Sequence, residues 1–179
     1  MRWAALLRGV NVAGHRRLAM ADLRALLEAQ GYGAVRTLLA SGNAVFEADA
    51  RDGARLEAEL ERAAKARLGL DTDFLLRDGG ELAETIRANP FPQEAETRPG
   101  QLVVHFARET LRPDLPDRLA GLYHGPERIV ARGRQLYVDY PEGMGRSKLP
   151  QALAKLKLPK PTTGRNWNTV LKLAAMLED

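Results

Sequence analysis

Ala34-Val35-Arg36-Thr37-Leu38-Leu39-Ala40-Ser41-Gly42-Asn43-Ala44-Val45-Phe46-Glu47-Ala48 is the stretch that decides the fold. Two strand-like runs, Ala34 to Leu39 and Ala44 to Ala48, flank Ser41-Gly42-Asn43, whose glycine and asparagine tolerate the positive φ of a tight hairpin. Upstream, Arg2 to Arg8 is apolar on both alternating faces, Trp3, Ala5 and Leu7 on one and Ala4 and Leu6 on the other. That pattern belongs to a central strand covered on both sides. Between this strand and the hairpin, Met20 to Gln30 carries Met20, Leu23, Leu26 and Leu27 at helical spacing, with Gly31 as its stop. Downstream, Asp52 to Leu68 repeats the helical pattern through Leu56, Leu60 and Ala64, with Glu57 and Glu61 expected on a solvated face. Thr72 to Arg77 reads as a fourth strand. The order β-α-β-β-α-β is that of the split βαβ, ferredoxin-like unit.

A further helix, Glu81 to Ala88, stops before Asn89-Pro90-Phe91-Pro92. Residues 89–100 lack apolar periodicity and read as a linker in which Glu94 and Glu96 are solvated. The element order then restarts. Leu102 to Ala107 is a strand and Pro116 to Tyr123 a short helix. Arg128 to Ala131 and Gln135 to Tyr140 are strands around the turn Arg132-Gly133-Arg134. Lys148 to Leu158 and Trp167 to Leu177 are helices. The expectation is an α+β protein of two ferredoxin-like halves, 1–88 and 101–179, related by structural duplication and joined by 89–100.

Of the 179 residues, 45% are hydrophobic and 28% charged, an ordinary globular composition. The formal net charge is 27 − 23 = +4, with a pI near 9.6, which suits acidic small molecules, nucleotides or nucleic acid as partners. There is no cysteine, so disulfides, thiolate metal sites and thiol nucleophiles are all excluded. The apolar run Trp3 to Leu7 is too short for a signal peptide or a membrane span, and a cytoplasmic protein without a membrane partner is expected. His15, His105 and His124 are isolated, without ligand spacing for zinc, and neither metal nor cofactor is expected. Gly9 to Gly14 is no dinucleotide fingerprint, and Gly145-Arg146-Ser147-Lys148 is no P-loop. The RNP1 pattern of an RNA-recognition motif is missing as well.

Four segments carry a family resemblance. They are Ala5 to Gly14, Arg36 to Asn43, Gly145-Arg146-Ser147-Lys148-Leu149 and Arg165-Asn166-Trp167-Asn168-Thr169. In this order they resemble the domain of unknown function 1697 family, from end to end. The resemblance implies a bacterial-type, soluble, duplicated α+β protein and supplies no activity. At Ala13 and His15 the sequence departs from the family pattern, which makes His15 a poor catalytic candidate.

The same segments stand out without any family. The chain has two serines, Ser41 and Ser147, and five asparagines, Asn11, Asn43, Asn89, Asn166 and Asn168. All but Asn89 fall in the four segments, beside glycine and arginine. Small hydrogen-bonding side chains in such places cap helices and turns or contact a ligand. The first two strands of a β-α-β-β-α-β unit run parallel, which places the cationic loop Arg8 to Arg17 beside Ser41-Gly42-Asn43. Ser147 and Asn166 are candidate N-caps of the last two helices. The candidate ligand-binding set is Arg8, Asn11, Ser41, Asn43, Arg146, Ser147, Lys148, Arg165, Asn166 and Asn168, expected around a phosphate-bearing anion in a cleft formed by N- and C-terminal motifs. Two other readings stay open. One is an enzyme acting through Lys148 or Ser147. The other is a nucleic-acid binder using Arg16-Arg17 and the Arg132-Gly133-Arg134 turn.

Overall fold

A computed structural model describes residues 1–14, 16–156, 158 and 161–179. It contains two four-stranded antiparallel sheets. The first half runs β1 (Arg2–Leu7), α1 (Met20–Ala29), β2 (Gly33–Leu38), β3 (Asn43–Glu47), α2 (Gly53–Leu68) and β4 (Phe74–Asp78). The second runs β5 (Leu102–Ala107), α5 (Leu115–Ala120), β6 (Arg128–Arg132), β7 (Gln135–Asp139), α6 (Leu149–Lys155) and β8 (Thr162–Asn166). Between them lie α3 (Gly79–Arg87) and α4 (Pro92–Thr97), and α7 (Trp167–Glu178) follows β8. The strand orders β2-β3-β1-β4 and β6-β7-β5-β8 are the same, so this is an α+β fold in two similar halves, each β-α-β-β-α-β.

Contacts group Met1–Glu84 with Lys172–Asp179 as one compact unit and Thr85–Leu171 as the other. The residues of α7 are therefore divided between the two. In the first unit, α1 and α2 lay Leu23, Leu27, Leu56 and Leu60 on the sheet face of Ala5, Leu7, Phe46 and Phe74. The opposite face, with Ala4, Leu6 and Leu75, is buried as well, which accounts for a β1 strand apolar on both sides. In the second unit, Leu115, Leu119, Leu149 and Leu153 pack on Val103, Ala107, Leu136 and Val138. Local chemistry sets the ends of α2. Asp52 accepts a hydrogen bond from the Arg55 amide at 3.2 Å, and Gly69 closes the helix at φ 61°.

The halves also agree in a detail no apolar pattern encodes. Arg77 on β4 pairs with Ala4 of β1, and Arg165 on β8 pairs with Val104 of β5. Both arginines are buried, and each donates from Nη1 to the carbonyl of the residue before it, at 2.8 Å.

Several expectations change. Glu57 is buried and accepts from the Leu76 amide at 2.8 Å, while Glu61 accepts from that of Phe74 at 3.1 Å. These amides lie on an edge strand with no neighbour on that side, so helix carboxylates take the place of the missing strand. Within 89–100, Phe91 is buried and α4 carries the buried Glu94. Glu94 is no solvated linker acid. It pairs with Arg128, which lies 5.0 Å from the Phe91 ring centre. The second half has a fourth strand that the sequence pattern did not mark, β8 at Thr162–Asn166, between the two helices expected there. No helix among the described residues is long and apolar enough to cross a membrane.

Candidate functional site

β1 delivers the chain to the loop that holds Arg8 and Asn11, and the hairpin between β2 and β3 meets it there. The Leu7 amide donates to Gly42 O at 2.9 Å, and Asn11 Nδ2 donates to Ala40 O at 2.6 Å. The two segments are in close van der Waals contact too. A Cβ on Gly42, at φ 81°, would lie 2.4 Å from Val10 Cγ2 and 3.0 Å from Leu7 Cβ.

Asn11 holds the loop in shape. Its Nδ2 also donates to Leu18 O at 2.8 Å, and its Oδ1 accepts from the Leu18 amide at 2.8 Å. Its own amide donates to Arg16 O at 3.1 Å. The side chain thus ties both ends of the loop to the hairpin, and its amide hydrogens are used on backbone carbonyls. Asn43 is fully buried and donates to Leu38 O at 2.9 Å and Ser41 Oγ at 3.0 Å. Arg8 pairs with Asp73 at 3.1 Å, and its carbonyl accepts from Thr72 Oγ1 at 2.8 Å.

The loop backbone is the departure from an ordinary turn. Gly9, Asn11, Ala13, Gly14 and Arg16 all have φ between 50° and 76°. For Ala and Arg this region is disfavoured, and strain of this kind collects at functional segments. Left-handed residues interspersed with ordinary ones are the backbone pattern from which anion-binding concavities are built, although the Asn11 amide is here taken by Arg16 O. Arg16 and Arg17 are exposed and have no carboxylate partner among the described residues. Arg16 Nη1 lies 3.8 Å from where a Gly9 Cβ would stand, so the guanidinium folds back over the start of the loop. His15 lies outside the described residues.

The C-terminal candidates belong to the second unit. Ser147 Oγ accepts from the Leu149 amide at 3.0 Å and donates to Glu127, whose other oxygen accepts from Tyr123 Oη at 2.8 Å. Burial is the main cause raising the Tyr123 pKa, with the hydrogen bond to Glu127 next. Arg146 and Lys148 are exposed on either side of Ser147. Arg165 is buried, donating to Thr163 Oγ1 and Gly164 O at 2.8 Å, and burial lowers its pKa to about 10. Asn166 Oδ1 accepts from both the amide and the hydroxyl of Thr169 at 3.0 Å, a helix cap for α7. Asn168 is exposed on the first turn of α7. At the Arg132-Gly133-Arg134 turn, Arg132 is occupied with the Ala88 carbonyl.

Sequence reasoning missed two polar clusters in the second unit. Asp139, at 1% side-chain exposure, is held by Arg98 through bonds of 3.0 and 2.8 Å and by Arg128 at 3.2 Å. Burial pushes its carboxyl up, and the two guanidiniums outweigh that and hold it below the ordinary aspartate value. His105 points its Nε2 at Tyr140 Oη, 3.2 Å away, and burial lowers its pKa to about 4. Nothing near these residues in the sequence announces either cluster, because every partner comes from another element. Among the described residues no group of His, Cys, Asp and Glu is arranged to hold a metal ion.

The family model for the protein of unknown function DUF1697 matches residues 1–137, and the chain belongs to that family. Among solved structures it is similar to the conserved bacterial protein SP0830 from Streptococcus pneumoniae. Identity is 25%, each chain is covered over 98% of its length, and the TM-score is 0.75. No curated protein matches. The family match covers the Arg8 loop and the hairpin, and ends before Gly145.

Proposed function

We propose that this member of the DUF1697 family binds a phosphate-bearing anion on the loop after β1. Loop amides other than that of Asn11, which is held by Arg16 O, donate to the phosphate oxygens, and Arg16 and Arg17 neutralise their charge. Asn11 is a positioning residue that holds the loop on the hairpin, Asn43 braces the hairpin itself, and Arg8, its charge balanced by Asp73, fixes the chain at the end of β1. The observation that carries the reading is the loop's backbone. Three of the described non-glycine residues with positive φ, Asn11, Ala13 and Arg16, stand in this one loop, whose Arg16 and Arg17 have no carboxylate partner among the described residues. A connection made only to join β1 to α1 needs neither feature. We take the protein to be cytoplasmic and both halves to be ferredoxin-like units.

The test is an amide-shift titration with inorganic phosphate. Shifts confined to residues 9–17 that vanish in the Arg16→Ala, Arg17→Ala double variant are expected. Unmoved loop amides at millimolar phosphate would reject the reading.

An enzyme using Ser147 is the second reading, favoured by the bond from its hydroxyl to Glu127, a carboxylate placed as a base would be. It requires hydrolysis of a simple ester or phosphate ester that is lost in both Ser147→Ala and Glu127→Gln. Turnover unaffected by either change would discard it.

A further inference from the structure

We infer that the ligand of the β1 loop is a phosphate monoester carrying a flat apolar body, of the nucleoside 5′-phosphate class, and not free inorganic phosphate. The inference rests on the anion-binding reading above and adds the part of the ligand that the charges do not touch.

Val12 and Leu39 are large apolar side chains left 60% and 51% exposed. Each stands one residue from the atoms joined by the Asn11 Nδ2 to Ala40 O bond, Val12 on the loop and Leu39 on the hairpin. The exposed arginines of the same loop follow at 16 and 17. The loop and the hairpin tied to it therefore carry, among the described residues, arginines without a carboxylate partner together with uncovered apolar side chains. An inorganic ion uses only the first. A phosphate ester with a flat ring uses both, and ligand sites commonly combine apolar walls with a few placed polar groups.

Leu39 strengthens the argument because it is disfavoured twice. Its φ is 60°, a conformation that suits glycine or asparagine and penalises a bulky side chain. Its side chain also stays largely in water, so burial does not offset the backbone strain. Folding alone would be served better by asparagine at this position. A leucine held there in spite of both costs is explained by a ligand group that covers it. Val12, with an ordinary backbone between the left-handed Asn11 and Ala13, is likewise left exposed on the opposing segment.

The experiment compares binding of inorganic phosphate, ribose 5-phosphate and adenosine 5′-monophosphate by calorimetry or amide shifts. The native protein and a Val12→Ser, Leu39→Asn double variant are used. Asparagine is at ease in the left-handed region, so this variant keeps its fold. In the native protein adenosine 5′-monophosphate is expected to bind about tenfold tighter than inorganic phosphate, with ribose 5-phosphate close to inorganic phosphate. In the double variant the three are expected to bind alike, with inorganic phosphate unchanged from native. Equal affinities in the native protein, or a preference that survives the double variant, would overturn the inference and leave the anion site standing. Binding of none of the three probes would overturn the anion site and this inference together.

Discussion

Four residues past the first strand of each half, the same structural place is filled by Asn11 in one and Leu111 in the other. Both connect the loop to the neighbouring hairpin. Asn11 does so through its side chain on Ala40 O, and Leu111 through its amide on Gly133 O at 2.8 Å, with its side chain 4% exposed in the core. The frame around them matches. The Leu7 amide donates to Gly42 O as the Ala107 amide donates to Arg134 O, and the Arg8 amide to Asp73 O as the Arg108 amide to Pro161 O. The connections differ in what lies beyond. The second is short, balances Arg112 against Asp114, and has no positive φ among its described residues. The first is long, cationic and strained. One fold closes this corner with a buried leucine, so the polar, left-handed version is not something the fold demands.

The hairpin glycines put the largest effect on that comparison. Gly42→Val adds left-handed strain to a clash with Val10 and Leu7, and is expected to cost about 4 kcal/mol or to prevent folding. Gly133→Ala, with φ 55° and its nearest neighbour 3.5 Å away at Gln135, should cost only about 1 kcal/mol in denaturant unfolding. Similar losses at the two sites would mean that the first hairpin is not pressed on its loop.

Next come the two anchors. Leu111→Ala empties a core position and should lower global stability by about 3 kcal/mol. Asn11→Ala removes hydrogen bonds from a partly exposed loop and should cost about 1.5 kcal/mol. Its main signature is hydrogen exchange accelerated at residues 11–18 and not in the sheet. A core-wide change for Asn11→Ala would contradict its role as a local tie.

A third contrast is at the ends of β3 and β7, where Glu47 and Asp139 close their strands. Glu47 pairs with Arg2 at the surface, 45% exposed, so Glu47→Gln should change stability by about 0.5 kcal/mol or less. Asp139→Asn disrupts a buried, doubly held carboxylate and should cost about 2 kcal/mol. Because the folded-state pKa of Asp139 is depressed, its contribution is present above the ordinary aspartate pKa and is lost as pH falls through the lower folded value.

Acid should act on the second half through His105 as well. Its folded pKa near 4 lies below the ordinary 6.5, so folding favours the neutral ring. Stability is full above about 6.5 and declines as pH drops toward 4. In His105→Gln the fall in melting temperature across that window should be shallower, and an unchanged slope would remove His105 as its cause. Smallest of all, Arg16→Ala and Arg17→Ala should alter stability by about 0.5 kcal/mol or less while reducing phosphate binding. A large stability loss would assign the arginines to the fold.

Much of this molecule is written locally. The hairpin at Ser41-Gly42-Asn43, the two-faced apolar β1 and the helical spacing of Leu56, Leu60 and Ala64 are properties of neighbouring residues, and each became the element it implied. Even the meeting of the Arg8 loop with the hairpin followed from strand order, because topology fixes which ends share an edge. What the sequence could not state is which polar groups turn inward. β8 is Thr162-Thr163-Gly164-Arg165-Asn166, with Thr163 and Arg165 as its buried side, and only pairing with β5 makes it a strand. Glu57, Glu94 and Asp139 resemble surface acids until an amide or a guanidinium from a distant element reaches them. Asn11 resembled a ligand group and proved to be committed to backbone carbonyls, which shifts the open chemistry to the loop amides and to Arg16 and Arg17. Periodicity and turn chemistry act over a few residues and determined the elements. Satisfaction of buried polar groups is decided between elements, so only the tertiary structure could settle it.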